Sequence, residues 1–146
     1  MRRLAIVVCL LAFIAIPAGC NSNPETGRVT GTVTYKGQPL ESGSIIFETQ
    51  GARPAVGQIV NGKIVEVTTY QPGDGAPLGV HQVAIQSVTA AEGVATQNPG
   101  DNAAGAGYMR SESLIPAIYG DPQQSGLTAE IKPGVNELHF ELKEIP

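Results

Sequence analysis

Arg28-Val29-Thr30-Gly31-Thr32-Val33-Thr34-Tyr35 sets Val29, Gly31, Val33 and Tyr35 on one parity and threonines on the other. That period of two is the pattern of a pleated strand with one buried face. The same reading extends downstream. Lys36-Gly37-Gln38-Pro39 is a turn, and Ser44–Thr49 is a second strand with Ile45 and Phe47 inward. Val56–Val60 and Lys63–Tyr70 flank Asn61-Gly62, a pair suited to a two-residue hairpin turn in which both residues need positive φ. Val80–Val88 follows the loop Pro72-Gly73-Asp74-Gly75-Ala76-Pro77. Leu127–Ile131 and Asn136–Leu142 close the series as an expected pair across Pro133-Gly134, with Leu138, Phe140 and Leu142 alternating against Glu137, His139 and Glu141. Seven strands, 18 glycines, 11 prolines and no tryptophan predict an all-β domain. The expected architecture is a seven-stranded antiparallel Greek-key β-sandwich, its edges guarded by Lys63, Glu48 and the proline-bearing loops.

Upstream of the strands lies a leader, residues 1–19, expected to form a signal helix. Arg2 and Arg3 precede the apolar run Leu4–Ile16, and small residues lead to Cys20: the order of an export signal with a cleavage site between Gly19 and Cys20. As a helix the run spans about 20 Å, short of the roughly 30 Å hydrocarbon core of a bilayer. Removing it leaves 127 residues with seven basic and thirteen acidic side chains, a formal charge of −6. That balance argues against nucleic acid as a partner. Cys9 leaves with the leader, so Cys20 is alone and no internal disulfide is available. Residues 20–27 read as a polar tether.

Thr89–Glu112 breaks the pattern: it is rich in Ala, Gly, Asn and Gln, has no period, and carries Tyr108 and Met109 as its few large residues. It predicts a flexible insertion in the domain at 28–143, either bland or ordering around a partner. Leu114–Pro122 reads as a packed crossing segment.

Ala18-Gly19-Cys20 resembles the lipobox of bacterial lipoproteins, with Pro17 where an aliphatic residue is usual. The resemblance implies cleavage after Gly19 and acylation of Cys20 by palmitate-type chains. Asn21, in place of the aspartate that retains some lipoproteins at the inner membrane, hints at an outer-membrane destination. Val29-Thr30-Gly31-Thr32-Val33, Gly37-Gln38-Pro39-Leu40, Asn61-Gly62-Lys63 and Gly79-Val80-His81-Gln82-Val83 resemble the carboxypeptidase regulatory-like (transthyretin-like) domains. Ile115–Tyr119 and Ser125–Ile131 extend the likeness. It implies a transthyretin-like or Ig-like sandwich and no peptidase activity, since the peptidase in that family is a separate domain.

The candidate chemistry is sparse. His81 shares its parity with Val83 and Ile85, the core side, and His139 shares its parity with Glu137 and Glu141, the solvent side, which argues against a shared metal. Asp74 is one carboxylate where calcium takes six to eight oxygens, so a turn cap is the favoured role. Ser42, Ser44, Ser87, Ser111, Ser113 and Ser125 occupy no nucleophile elbow. Tyr70, Tyr108 and Tyr119 are the aromatics open to sugar stacking. The expected function is a lipid-anchored, non-enzymatic interaction or structural module of the cell envelope, without cofactor. Its partners are a membrane through Cys20 and an envelope protein; a glycan-binding module is the alternative.

Overall fold

The computed structural model describes residues 23–89 and 112–144; the leader, Cys20 and residues 90–111, with Tyr108, Met109 and Ser111, lie outside them. The described chain is all β. Its strands are β1 (Thr26–Tyr35), β2 (Gln38–Pro39), β3 (Ser42–Glu48), β4 (Ala55–Val60), β5 (Lys63–Thr68), β6 (Ala76–Pro77), β7 (Gly79–Gln86), β8 (Leu127–Ile131) and β9 (Val135–Leu142). Each of the seven expected strands is present, joined by the two-residue strands β2 and β6. The helical content among the described residues is one 3-10 turn, Ala117–Gly120. The tether is shorter than expected, because Thr26 and Gly27 pair with Pro77 and Ala76.

These strands hydrogen-bond in one continuous order, β9-β1-β5-β4-β3-β7-β8. The two outermost, β8 and β9, are joined by Lys132–Gly134, so the sheet curls until its edges meet. Two expectations change here. Lys63 and Glu48 guard no edge, since β5 and β3 lie inside the order. Nor do β8 and β9 form a hairpin: β8 runs antiparallel to β7, while β9 runs parallel to β1 from Arg28↔Val135 to Tyr35↔Leu142. The cause is local. The Asn136 carboxamide accepts from the Lys132 N–H at 2.9 Å and donates to the Lys132 carbonyl at 2.8 Å. That side chain takes the main-chain partners a hairpin would use. The Arg28 N–H then donates to the Gly134 carbonyl at 2.8 Å and draws the chain onto β1.

Strand directions give the domain two poles. β1, β4, β7 and β9 start at the lower pole, where the chain emerges at Asn23; β3, β5 and β8 end there. At about 3.3 Å per residue, the ten residues of β1 span roughly 33 Å to the upper pole. The insertion leaves and returns at the upper pole. Its ends are stapled by the Val88↔Ser113 bridge and by the Thr89 N–H on the Glu112 carbonyl at 2.8 Å.

Inward parity builds the core as expected. Val33, Ile45, Phe47, Val83, Ile85 and Leu142 are fully buried, and Ile115 and Tyr119 of the crossing segment pack among them. Fully burying one such aliphatic or phenyl group contributes about 1.5–3 kcal/mol. The Tyr119 hydroxyl is satisfied in place: it donates to the Lys143 carbonyl at 3.2 Å and accepts from the Lys143 N–H at 3.0 Å. Asn61 and Gly62 adopt φ of 49° and 75°, the turn their sequence requires.

One residue breaks the expected chemistry. Between Val56↔Thr68 and Gln58↔Val65 the register shifts, and β5 carries an extra residue. This bulge sets Glu66 at φ 53°, a left-handed conformation in which its Cβ crowds the carbonyl that follows. The side chain is exposed, so nothing in the core requires it. Glu66→Gly is therefore expected to stabilise the fold by about 1 kcal/mol, raising the melting temperature by roughly 4 °C. Glu66→Ala keeps the Cβ and should leave the melting temperature unchanged in the same calorimetric scan.

Candidate functional site

Asp74 and His81 lie near the lower pole, the serines and His139 lie elsewhere along the strands, and most of these side chains are committed to the fold. Asp74 sits in the loop between β5 and β6. Its Oδ1 accepts from the Thr69 N–H at 2.7 Å, and its Oδ2 accepts from the Tyr70 and Gln71 N–H groups at 2.9 and 3.0 Å. Partial burial raises the cost of ionising this carboxyl, yet the three main-chain donors outweigh it and hold its pKa below the usual carboxylate value. The loop is tied further by the Thr69 hydroxyl on the Gly75 carbonyl at 2.6 Å and the Gly73 N–H on the Thr68 hydroxyl at 3.0 Å. Asp74 is a cap, as its position between glycines predicts. Its lone pairs face amides, not an open cation site.

His81 is wholly buried, on the core side of β7 as its parity requires. Its Nε2 lies 2.7 Å from the Pro77 carbonyl, which can only accept, so Nε2 bears the hydrogen. The ring meets Phe47 edge to face at 6.2 Å between centroids, and Nδ1 is buried with no hydrogen-bond partner. A cavity of about 440 Å³ borders this position, lined by Glu48, Thr49, Gln50, Val80, Gln82 and Gln123 beside His81. The His81 ring is wholly buried, so the cavity presents one carboxylate, a hydroxyl, three amides and the Val80 side chain. Two of the amides are engaged with each other, Gln123 Nε2 donating to Gln82 Oε1.

His139 lies on the opposite face. Its Nδ1 is 2.9 Å from the Thr32 hydroxyl, and its Nε2 is 3.9 Å from Glu137 Oε1. The structure therefore separates the two histidines, one inside the sheet and one outside. Among the described residues no three His, Cys, Asp or Glu side chains converge.

The serines stabilise main chain. Ser87 Oγ donates to the Ser42 carbonyl at 2.6 Å, Ser113 Oγ to the Ile115 carbonyl at 2.7 Å, and Ser125 Oγ to the Val83 carbonyl at 2.5 Å. None of the three has a histidine or carboxylate as its hydrogen-bond partner. Of the aromatics, Phe47, Tyr119 and Phe140 belong to the core. Tyr35 and Tyr70 are half-buried, Tyr35 with the Lys36 ammonium over its ring at 5.3 Å.

Exposed valines are the feature that parity alone understated. Val56, Val80 and Val135 are 49%, 66% and 71% exposed, each at the first or second position of a strand that starts at the lower pole. The signal was present for Val80, which must point away from the face that buries His81.

Comparison of the chain with protein-family models, with curated proteins and with solved structures finds no match.

Proposed function

We propose that the chain is a lipid-anchored envelope protein whose β domain serves as a non-catalytic interaction or structural module. In this reading residues 1–19 are removed after Gly19, Cys20 carries the acyl chains, and the curled sheet is a carboxypeptidase regulatory-like sandwich of transthyretin-like or Ig-like form. The carrying observation is the leader itself: two arginines, an apolar run too short to span a bilayer, and Ala18-Gly19-Cys20. The commitment of Asp74, His81 and three serines to main-chain partners supports a scaffold role over a catalytic one. Anchoring would act by concentration: a domain held at a membrane meets envelope partners at a high effective concentration. One acyl chain binds a membrane only marginally, so the reading requires more than one lipid chain on Cys20.

The glycan-binding alternative has less support. It needs aromatics on an open surface; of its candidates Tyr119 is taken up by the core and Tyr70 is half-buried, while Tyr108 lies outside the described residues.

The test is metabolic labelling. Cells expressing the full chain with radiolabelled palmitate should yield a labelled, membrane-bound protein, and Cys20→Ala should carry no label. A wild-type chain that matures without label overturns the reading.

A further inference from the structure

We propose that the lower pole of the domain rests directly on the phospholipid surface, with Val56, Val80 and Val135 as a shallow ring of contact. This rests on the lipid-anchor reading and adds an orientation to it.

The tether sets the geometry. Cys20 is six chain links from Thr26, the first residue of β1, which at full extension is about 21 Å. An acylated Cys20 therefore keeps the start of β1 within that distance of the bilayer. β1 is roughly 33 Å long, so the tether is too short for the domain to turn over and lay its upper end flat on the same bilayer. With the upper end excluded, the seating inferred is on the end from which β1, β4, β7 and β9 start.

That end is chemically suited to an interface. Outward positions along the strands are mostly hydroxyl, amide or carboxylate: Thr30 and Thr32 on β1, Gln58 on β4, Gln86 on β7, Glu137 and Glu141 on β9. The upper pole also exposes Val60, Val88 and Leu114, so it is the tether, and not apolarity alone, that selects the lower end. The first outward position of β4, β7 and β9 is instead valine, exposed in each case. Strand parity denies these side chains the core, because each sits beside a residue that points inward or begins the strand. Cations accompany them. Arg53 precedes Val56 by three residues, Lys132 precedes Val135 by three, and Arg28 is the register partner of Val135. Arg28 and Arg53 form no ion pair among the described residues, whereas Lys132 is 3.4 Å from Glu130. Guanidinium groups beside short apolar side chains match the boundary between headgroup phosphates and acyl chains. Glu25, Glu48, Asp74 and Glu130 share this pole, so its charge is mixed and ordinary phospholipid is the matching surface, not a strongly anionic one.

The chain has no tryptophan, which makes an inserted one a clean reporter. Val80→Trp and Val135→Trp place it in the ring; Val60→Trp, on an outward position at the upper pole, is the control. All three sites are exposed strand positions that tolerate an aromatic. The full acylated chain is reconstituted in vesicles of phosphatidylethanolamine and phosphatidylglycerol containing brominated acyl chains. Emission from positions 80 and 135 should shift to the blue and lose most of its intensity, while emission from position 60 keeps its intensity. An acylated, vesicle-bound chain whose reporters at 80 and 135 behave like that at 60 overturns the seating and leaves the anchor intact. A chain whose mass shows no acyl group on Cys20 overturns both.

Discussion

Gly31→Ala is expected to destabilise the domain by about 4 kcal/mol, a large share of the roughly 5–15 kcal/mol that stabilises a domain of this kind. Gly31 sits at φ 148° in the middle of β1, opposite Leu138 of β9. A Cβ there would stand 1.8 Å from the Leu138 carbonyl oxygen and 2.7 Å from its carbon. Both are backbone atoms inside a ladder, so no rotamer can relieve the overlap; β9 must move off β1. The control is Gly37→Ala. Gly37 also has positive φ, at 77°, but nothing lies within 4 Å of its missing Cβ, so only the left-handed penalty of about 1 kcal/mol applies. Urea unfolding followed by far-ultraviolet circular dichroism separates the two. Equal losses would mean that Gly31 acts through backbone freedom and not through its contact with Leu138.

Asp74→Ala is expected to cost roughly 2–3 kcal/mol at neutral pH, lowering the melting temperature by roughly 10 °C. The substitution strands the N–H groups of Thr69, Tyr70 and Gln71 at once, and Thr69 is buried. The loss should depend on pH in one direction. The folded protein holds this carboxyl below its ordinary pKa, so the stabilisation is fully present above the unfolded value of about 4 and fades as pH falls through the folded one. The gap between wild type and Asp74→Ala should therefore narrow as the pH is lowered from 7 towards 2. A gap that stays constant across that range would show that the carboxylate charge is not the agent.

The sequence was most legible where a single strand decides the matter. Alternation placed Ile45, Phe47 and His81 inside and His139 outside, because parity depends on near neighbours alone. Asn61-Gly62 announced its own turn for the same reason. What alternation cannot express is which strand lies beside which. β1 and β9 pair across more than a hundred residues, and Pro133-Gly134 looks like a hairpin turn until Asn136 folds its carboxamide back onto Lys132. The bulge at Glu66 was hidden because its left-handed position holds a charged residue where glycine would have marked it. Among the candidate residues, the capping role of Asp74 followed from its flanking glycines. The contact of His81 with Pro77 did not, since it depends on how the short strand β6 lies against β7.

The parallel pairing of β1 with β9 has a mechanical consequence. A force that pulls residue 26 away from residue 142 loads the two strands lengthwise and in opposite directions. Their hydrogen bonds, spread over eight register pairs, then resist together in shear; an antiparallel hairpin pulled from its open end would peel one bond at a time. Tension applied from pole to pole across β1 and β9 is therefore met by the whole ladder at once.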